Sequence, residues 1–174
     1  MNSSASRASI QQQAARELLR RQAAVSSLLR FTEYTNAAYR PAPHHRLIAE
    51  ALEAVERGAI KRLMICMPPR HGKSELASRR FPAWYLGRNA DKQIIAASYN
   101  SELATDFGRE VRNIVASPEF GALFPGVKLS SDSQAANRWH TDAGGVYVAA
   151  GVGTAVTGRS ADVLLRDDPF KDRQ

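Results

Sequence analysis

Residues 64–75 read "MICMPPRHGKSE", and their interpretation decides the fold. The closing triplet, Gly72-Lys73-Ser74, is how a phosphate-binding loop ends. The full pattern G-x-x-x-x-G-K-[ST] would place a glycine at position 67, where this chain has Met67. Such a triplet alone is a common accident, so its setting matters more. Upstream, Leu63–Met67 is a short continuous apolar run, the form of a buried strand. Downstream, Lys73 to Leu86 reads as a helix with Leu76, Phe81 and Trp84 available to a core, which Pro82 should bend or restart. A loop between a strand and a helix can hold phosphate through free helix-start N–H groups, the helix dipole and a lysine. Gly72 would let the backbone approach the phosphates closely, Lys73 would reach the outer ones, and the Ser74 hydroxyl could ligate Mg²⁺. Pro68 and Pro69 lack N–H, so the cradle would rest on the amides of Arg70, His71, Gly72, Lys73 and Ser74.

A site of this kind needs a second part: a strand ending in an acid for the Mg²⁺ shell, often followed by an acid that activates water. Val163-Leu164-Leu165-Arg166-Asp167-Asp168 supplies both, far downstream. The competing reading is a surface "DDP" turn, but two matched parts in the right order weigh more than either alone. Arg166 is out of place, since a strand buried on both faces tolerates no unpaired charge. It must reach the edge of the site or weaken the strand.

The remaining pattern supplies the scaffold. Residues 1–9 are expected to be disordered, and 10–30 to form a helix with a ragged apolar face. "RPAP" breaks the chain at 40–43. A helix should run from His44 to Arg57 and stop at Gly58. Gln93–Ser98 reads as a buried strand, and Asn100 or Ser101 should cap a helix whose stripe is Leu103, Phe107, Val111, Ile114 and Val115. The stretch after Pro118 reads as mostly irregular, and Val146–Ala149 as another strand. Continuously apolar strands alternating with helices imply an α/β fold with a mostly parallel sheet.

Composition narrows the class. The 174 residues, 44% hydrophobic and 24% charged, suit one soluble globular domain. Lone Cys66 excludes an internal disulfide framework, fits a reducing cytoplasm, and reads as a small buried hydrophobe. No apolar run is long enough to span a bilayer, and the polar start is no secretory signal. The net charge is +7, and residues 1–40 carry six arginines against Glu17 and Glu33, a bias toward polyanions such as nucleic acid. No His/Cys spacing suggests zinc. Trp139 and Tyr147 read as core rather than base-stacking groups, and His44 and His45 as solvated helix-start residues rather than adenine contacts. Gly158-Arg159 lies in a loop that could sense nucleotide or touch DNA.

At this point a resemblance emerges. "PAPHHRLIAEALEAVERGAIKRLMICMPPRHGKSE", "SRRFPAWYLGR", "ASYNSELATDFGREVRNIVASPEF", "GVYVAAGVGTAVTGRSAD" and "DDPFKD" together resemble the ATPase domain of bacteriophage terminase large subunits, over roughly residues 41–174. Within that family a "PPRHGKS" loop is usual, so Met67 is no departure from it. The resemblance implies a P-loop NTPase, incomplete at its C-terminus and preceded by N-terminal helices in a basic segment, 1–40. It implies ATP and Mg²⁺ as ligands, with Arg70 acting like an arginine finger, Lys73 and Ser74 in the loop roles above, and Asp167 in the Mg²⁺ shell. Asp168 stands where the family commonly has a catalytic Glu. The function implied is translocation of double-stranded DNA into a procapsid, in the cytoplasm of a bacterial host. The implied partners are a terminase small subunit, a portal protein and further copies in a homo-oligomeric ring, with no membrane. Alternatives are a helicase-like P-loop ATPase, or an inactive prophage remnant that only binds nucleic acid. The family's nuclease domain, and a strand that would separate the loop strand from the acidic strand, have no counterpart in this sequence. The expectation is therefore that the chain alone hydrolyses no ATP and either aggregates through open strand edges or stays partly molten.

Overall fold

The computed structural model describes residues 3–151 and 160–168. Its N-terminal part is helical from the outset: α1 spans Ser3–Ser26 and α2 spans Leu28–Thr35. Helix therefore begins where the sequence suggested disorder, on a stretch rich in the good helix formers Ala, Gln and Arg. The single helix expected over 10–30 is divided at Ser27, whose backbone is extended. Glu53 explains the division, because its carboxylate accepts the freed Leu28 N–H at 2.7 Å. α2 then buries Leu28, Leu29 and Phe31 in the core shared with the rest of the chain.

Helix α3, Pro43–Glu56, starts on proline as helices favour and is followed by Gly58 at φ 73°, the stop the sequence indicated. Its buried residues are His45, Ala49 and Leu52, while Leu47 faces solvent. After the loop, helical backbone resumes at Lys73 and takes a π-helical course over Glu75–Arg80 before α4, Phe81–Arg88. Pro82 accounts for this: it cannot donate to the carbonyl four residues back and its ring crowds that group. The preceding Phe81 N–H bonds instead to Leu76, five residues back. Proline restarts the helix here.

The strands β1 (Gln93–Ser98), β2 (Leu129–Ala135), β3 (Arg138–Thr141), β4 (Val146–Gly151) and β5 (Val163–Asp167) form one sheet in the order β2-β3-β4-β1-β5. β1 pairs in parallel with β4 and β5, whereas β2–β3 and β3–β4 are antiparallel. The expected mostly parallel sheet is therefore a mixed one. The antiparallel strands lie in the stretch read as irregular, where β2, "LSSDSQA", has no apolar alternation to reveal it. A tight hairpin needs no crossover helix, so such strands can be added with few sequence signals.

Two further expectations fail together. Residues 63–67 form no strand, Met64 is exposed, and Cys66 is exposed rather than buried. An apolar run becomes a strand only with a hydrogen-bonding neighbour, and among the described residues β5 pairs only with β1. The same edge position resolves Arg166, which alternates outward with Leu164 and is solvated rather than buried.

Helices α5 (Ser101–Val115) and α6 (Pro118–Leu123) complete the core. Asn100 caps α5 as expected, its Oδ1 accepting Leu103 N–H at 2.6 Å. Phe107, Val111 and Val115 are buried against the sheet. Trp139 and Tyr147 are fully buried and stacked 5.1 Å apart, with the indole N–H donating to Gly108 O. They are core residues, as read. A Cβ on Gly108 would collide with the Ala136 carbonyl, a rigid backbone group. Gly108→Ala should therefore destabilise the domain by about 1–3 kcal/mol through overpacking. A denaturant midpoint equal to wild type in urea unfolding would refute this.

Candidate functional site

The parallel pairing of β1 with β5 brings Ser98 opposite Asp167 at the C-terminal end of both strands. The ladder extends one step further, with Tyr99 N–H donating to Asp168 O at 3.2 Å. Against this edge lies the start of the helical run that follows the glycine-containing loop. Lys73 Nζ sits 3.0 Å from Asp167 Oδ1 and 2.5 Å from Asp168 Oδ1. The loop lysine and both acids are thus brought together across 95 residues of sequence.

Asp167 is buried, and its other oxygen accepts the Ser78 hydroxyl at 2.7 Å. Burial would raise its pKa, but hydrogen bonds from Ser74, Ser78 and Lys73 outweigh that and hold it below the ordinary carboxylate value. Burial likewise pulls the Lys73 ammonium down, and its bonds to Asp168 and Asp167 more than restore it. Lys73 and Asp167 therefore form an ionised pair at neutral pH. Ser98, facing Asp167 in the ladder, is buried, and its hydroxyl has no partner among the described residues. Such an orphan is uncommon and here adjoins the acid.

Backbone strain concentrates at the same place. Among the described residues the non-glycine residues with positive φ are Arg70, at 64°, and Asp168, at 42°. Left-handed backbone is unfavourable for such side chains and persists where the surroundings impose it, often at functional sites. Arg70 is exposed and makes no ion pair or hydrogen bond within the described residues. Gly72, at φ 85°, is a position where glycine is required.

Two contributors escaped the sequence reading. Ser78 lies one helical turn beyond Ser74, a spacing that could have flagged it. His45, read as a solvated helix-start residue, is instead buried, and its ring bonds to the loop carbonyl of His71. Gly158 and Arg159 lie outside the described residues.

Because the folded pKa of Asp167 is lowered, its contribution to stability is complete above the unfolded value, about 3.9, and is lost as pH falls through the folded one. Ser78→Ala should remove part of it and cost about 1–3 kcal/mol at pH 7, where it takes one hydrogen bond from a buried carboxylate. The gap from wild type should narrow below pH 3. Urea unfolding at both pH values measures it, and a pH-independent gap would assign Ser78 to packing instead.

The N-terminal domain of terminase large subunits of the T4-like virus type matches as a family over residues 64–174, well over half of the chain. The chain belongs to this family. No curated protein and no solved structure matches the chain. The matched stretch of this terminase domain starts just before the loop and takes in Lys73, Asp167 and Asp168. It leaves α1, α2 and α3 outside, so His45 is supplied from beyond the matched region. Membership of a terminase family points to phage DNA packaging. Among the described residues no helix is long and apolar enough to cross a membrane.

Proposed function

We propose that this terminase domain binds ATP with Mg²⁺ between the 68–74 loop and the end of β5, and that hydrolysis there drives double-stranded DNA into a procapsid. The observation that carries the reading is the convergence of Lys73 with Asp167 and Asp168 at a strand-end site. A triphosphate would draw the Lys73 ammonium toward its outer phosphates and free both carboxylates.

The residues present fit a magnesium ion. Ser74 and an ionised Asp167 are hard oxygen donors already in hydrogen-bond contact. Among the described residues no group of three or more His, Cys, Asp or Glu could hold a metal. That suits Mg²⁺, which takes one or two protein ligands and completes its shell with phosphate and water. The ion would neutralise charge on the phosphate oxygens. Asp168, more exposed than Asp167, would orient the attacking water, and unpaired Arg70 would meet the charge developing on the γ-phosphate.

DNA would be met in part by the basic N-terminal helices. Their acids are already engaged, Glu17 by Arg20 and Arg21 and Glu33 by Arg30, which leaves the surplus arginines to phosphate. In the packaging motor the domain would work as a ring with a portal protein and a terminase small subunit. The test is titration of the chain with a fluorescent ATP analogue with and without Mg²⁺. Saturable, Mg²⁺-dependent binding is expected, and its absence at millimolar analogue rejects the reading.

A further inference from the structure

The loop is held from outside by α3. His45 occupies the third position of that helix, and its Nδ1 accepts the Ala42 N–H at 3.0 Å. This is the return bond that Glu or Gln makes in a capping box. An acceptor at Nδ1 fixes the tautomer of the neutral ring, so the proton is on Nε2. Nε2 lies 2.9 Å from His71 O, to which it therefore donates. His44 Nε2 approaches the same carbonyl at 3.1 Å, and its ring stands edge-on to His45 with centroids 4.2 Å apart. On the other side Tyr39 packs on the His45 ring at 5.4 Å. The His71 ring bonds back to Pro69 O at 2.8 Å, closing the loop on itself.

The carbonyl of His71 shares a rigid plane with the Gly72 N–H, and in a trans peptide the two point in opposite directions. A donor clamped on that oxygen therefore turns the Gly72 N–H away from α3. That N–H has no partner within the described residues. Hydrogen bonding to the carbonyl also polarises the peptide and strengthens the N–H as a donor. The ring sits so close that a Cβ on Gly72 would lie 2.6 Å from His45 Nε2.

We propose that His45 is a positioning residue of the phosphate loop: through its Nε2–H bond to His71 O it presents the Gly72 N–H to an anion. Its consequence for ATP rests on the nucleotide reading above, while the clamp itself does not. Two variants separate its two bonds. His45→Gln places an amide N–H near the position of Nε2 and keeps the bond to His71 O. His45→Asn keeps an acceptor for Ala42 but cannot reach the loop.

The experiment is hydrogen–deuterium exchange of the nucleotide-free chain, followed by titration with the fluorescent ATP analogue. His45→Asn is expected to speed exchange in peptides covering 68–76, where Leu76 N–H bonds to the loop's Gly72 O, by about 3- to 10-fold, the worth of one hydrogen bond, and to weaken analogue binding to a similar degree. His45→Gln should stay near wild type in both, with β1 unchanged throughout. Unchanged loop exchange in His45→Asn overturns the proposal. So does an equal rise in β1, or equal damage from both variants, since each means a general loss of stability. Should loop exchange respond as expected while wild type fails to bind the analogue, the clamp stands and the nucleotide reading falls.

Discussion

Lys73→Ala is expected to abolish measurable ATP binding. In the proposed site the ammonium would meet the outer phosphates, and it already faces oxygen anions, with Asp167 at 3.0 Å and Asp168 at 2.5 Å. Removing it takes away the charge that a triphosphate would meet and leaves two carboxylates beside the same space. Truncating one partner of a hydrogen-bonded charge pair of this kind costs about 2–5 kcal/mol, or roughly 30- to 4,000-fold in affinity. Asp167 should also lose part of its lowered pKa, because Lys73 is one of the groups that hold it down. Lys73→Ala/Asp168→Asn relieves the added repulsion and should recover stability without recovering binding. Titration with a fluorescent ATP analogue, alongside a urea unfolding curve, reads both effects. Equal affinity of wild type and Lys73→Ala would remove the site.

The second large effect concerns rate rather than affinity. Arg70 is exposed, left-handed at φ 64° and free of any partner within the described residues. An arginine finger is worth on the order of 10³–10⁵ in turnover. Arg70→Ala in an assembled packaging motor should slow phosphate release by about 10³-fold or more while sparing the dissociation constant. Alanine carries the same left-handed penalty as arginine, so the backbone cost cancels in this comparison. Loss of affinity in step with rate would make Arg70 a phosphate-binding residue and refute the finger role.

Much of this was legible along the chain because it depends on near neighbours. Asn100 caps α5, Gly58 closes α3 and Pro82 restarts a helix through backbone geometry within a few residues. Strands β1, β4 and β5 declare themselves because residues that pack inside a sheet must be apolar in runs. The meeting of Lys73 with Asp167 and Asp168 was readable from residue types, since those are the types that the proposed phosphate and magnesium site would need.

What tertiary structure alone decided depends on partners distant in sequence. Whether 63–67 becomes a strand turns on a neighbour to bond with, and the run is as apolar without one as with one. The β2–β3 hairpin is held by pairing with β4 rather than by its own pattern. Ser78 matters only because β5 passes beside it, and His45 only because α3 begins against the loop. Local sequence determined which groups could serve the proposed phosphate site. The long-range hydrogen bonds, which carry no periodic signature, decided which of them meet and which way the Gly72 amide faces.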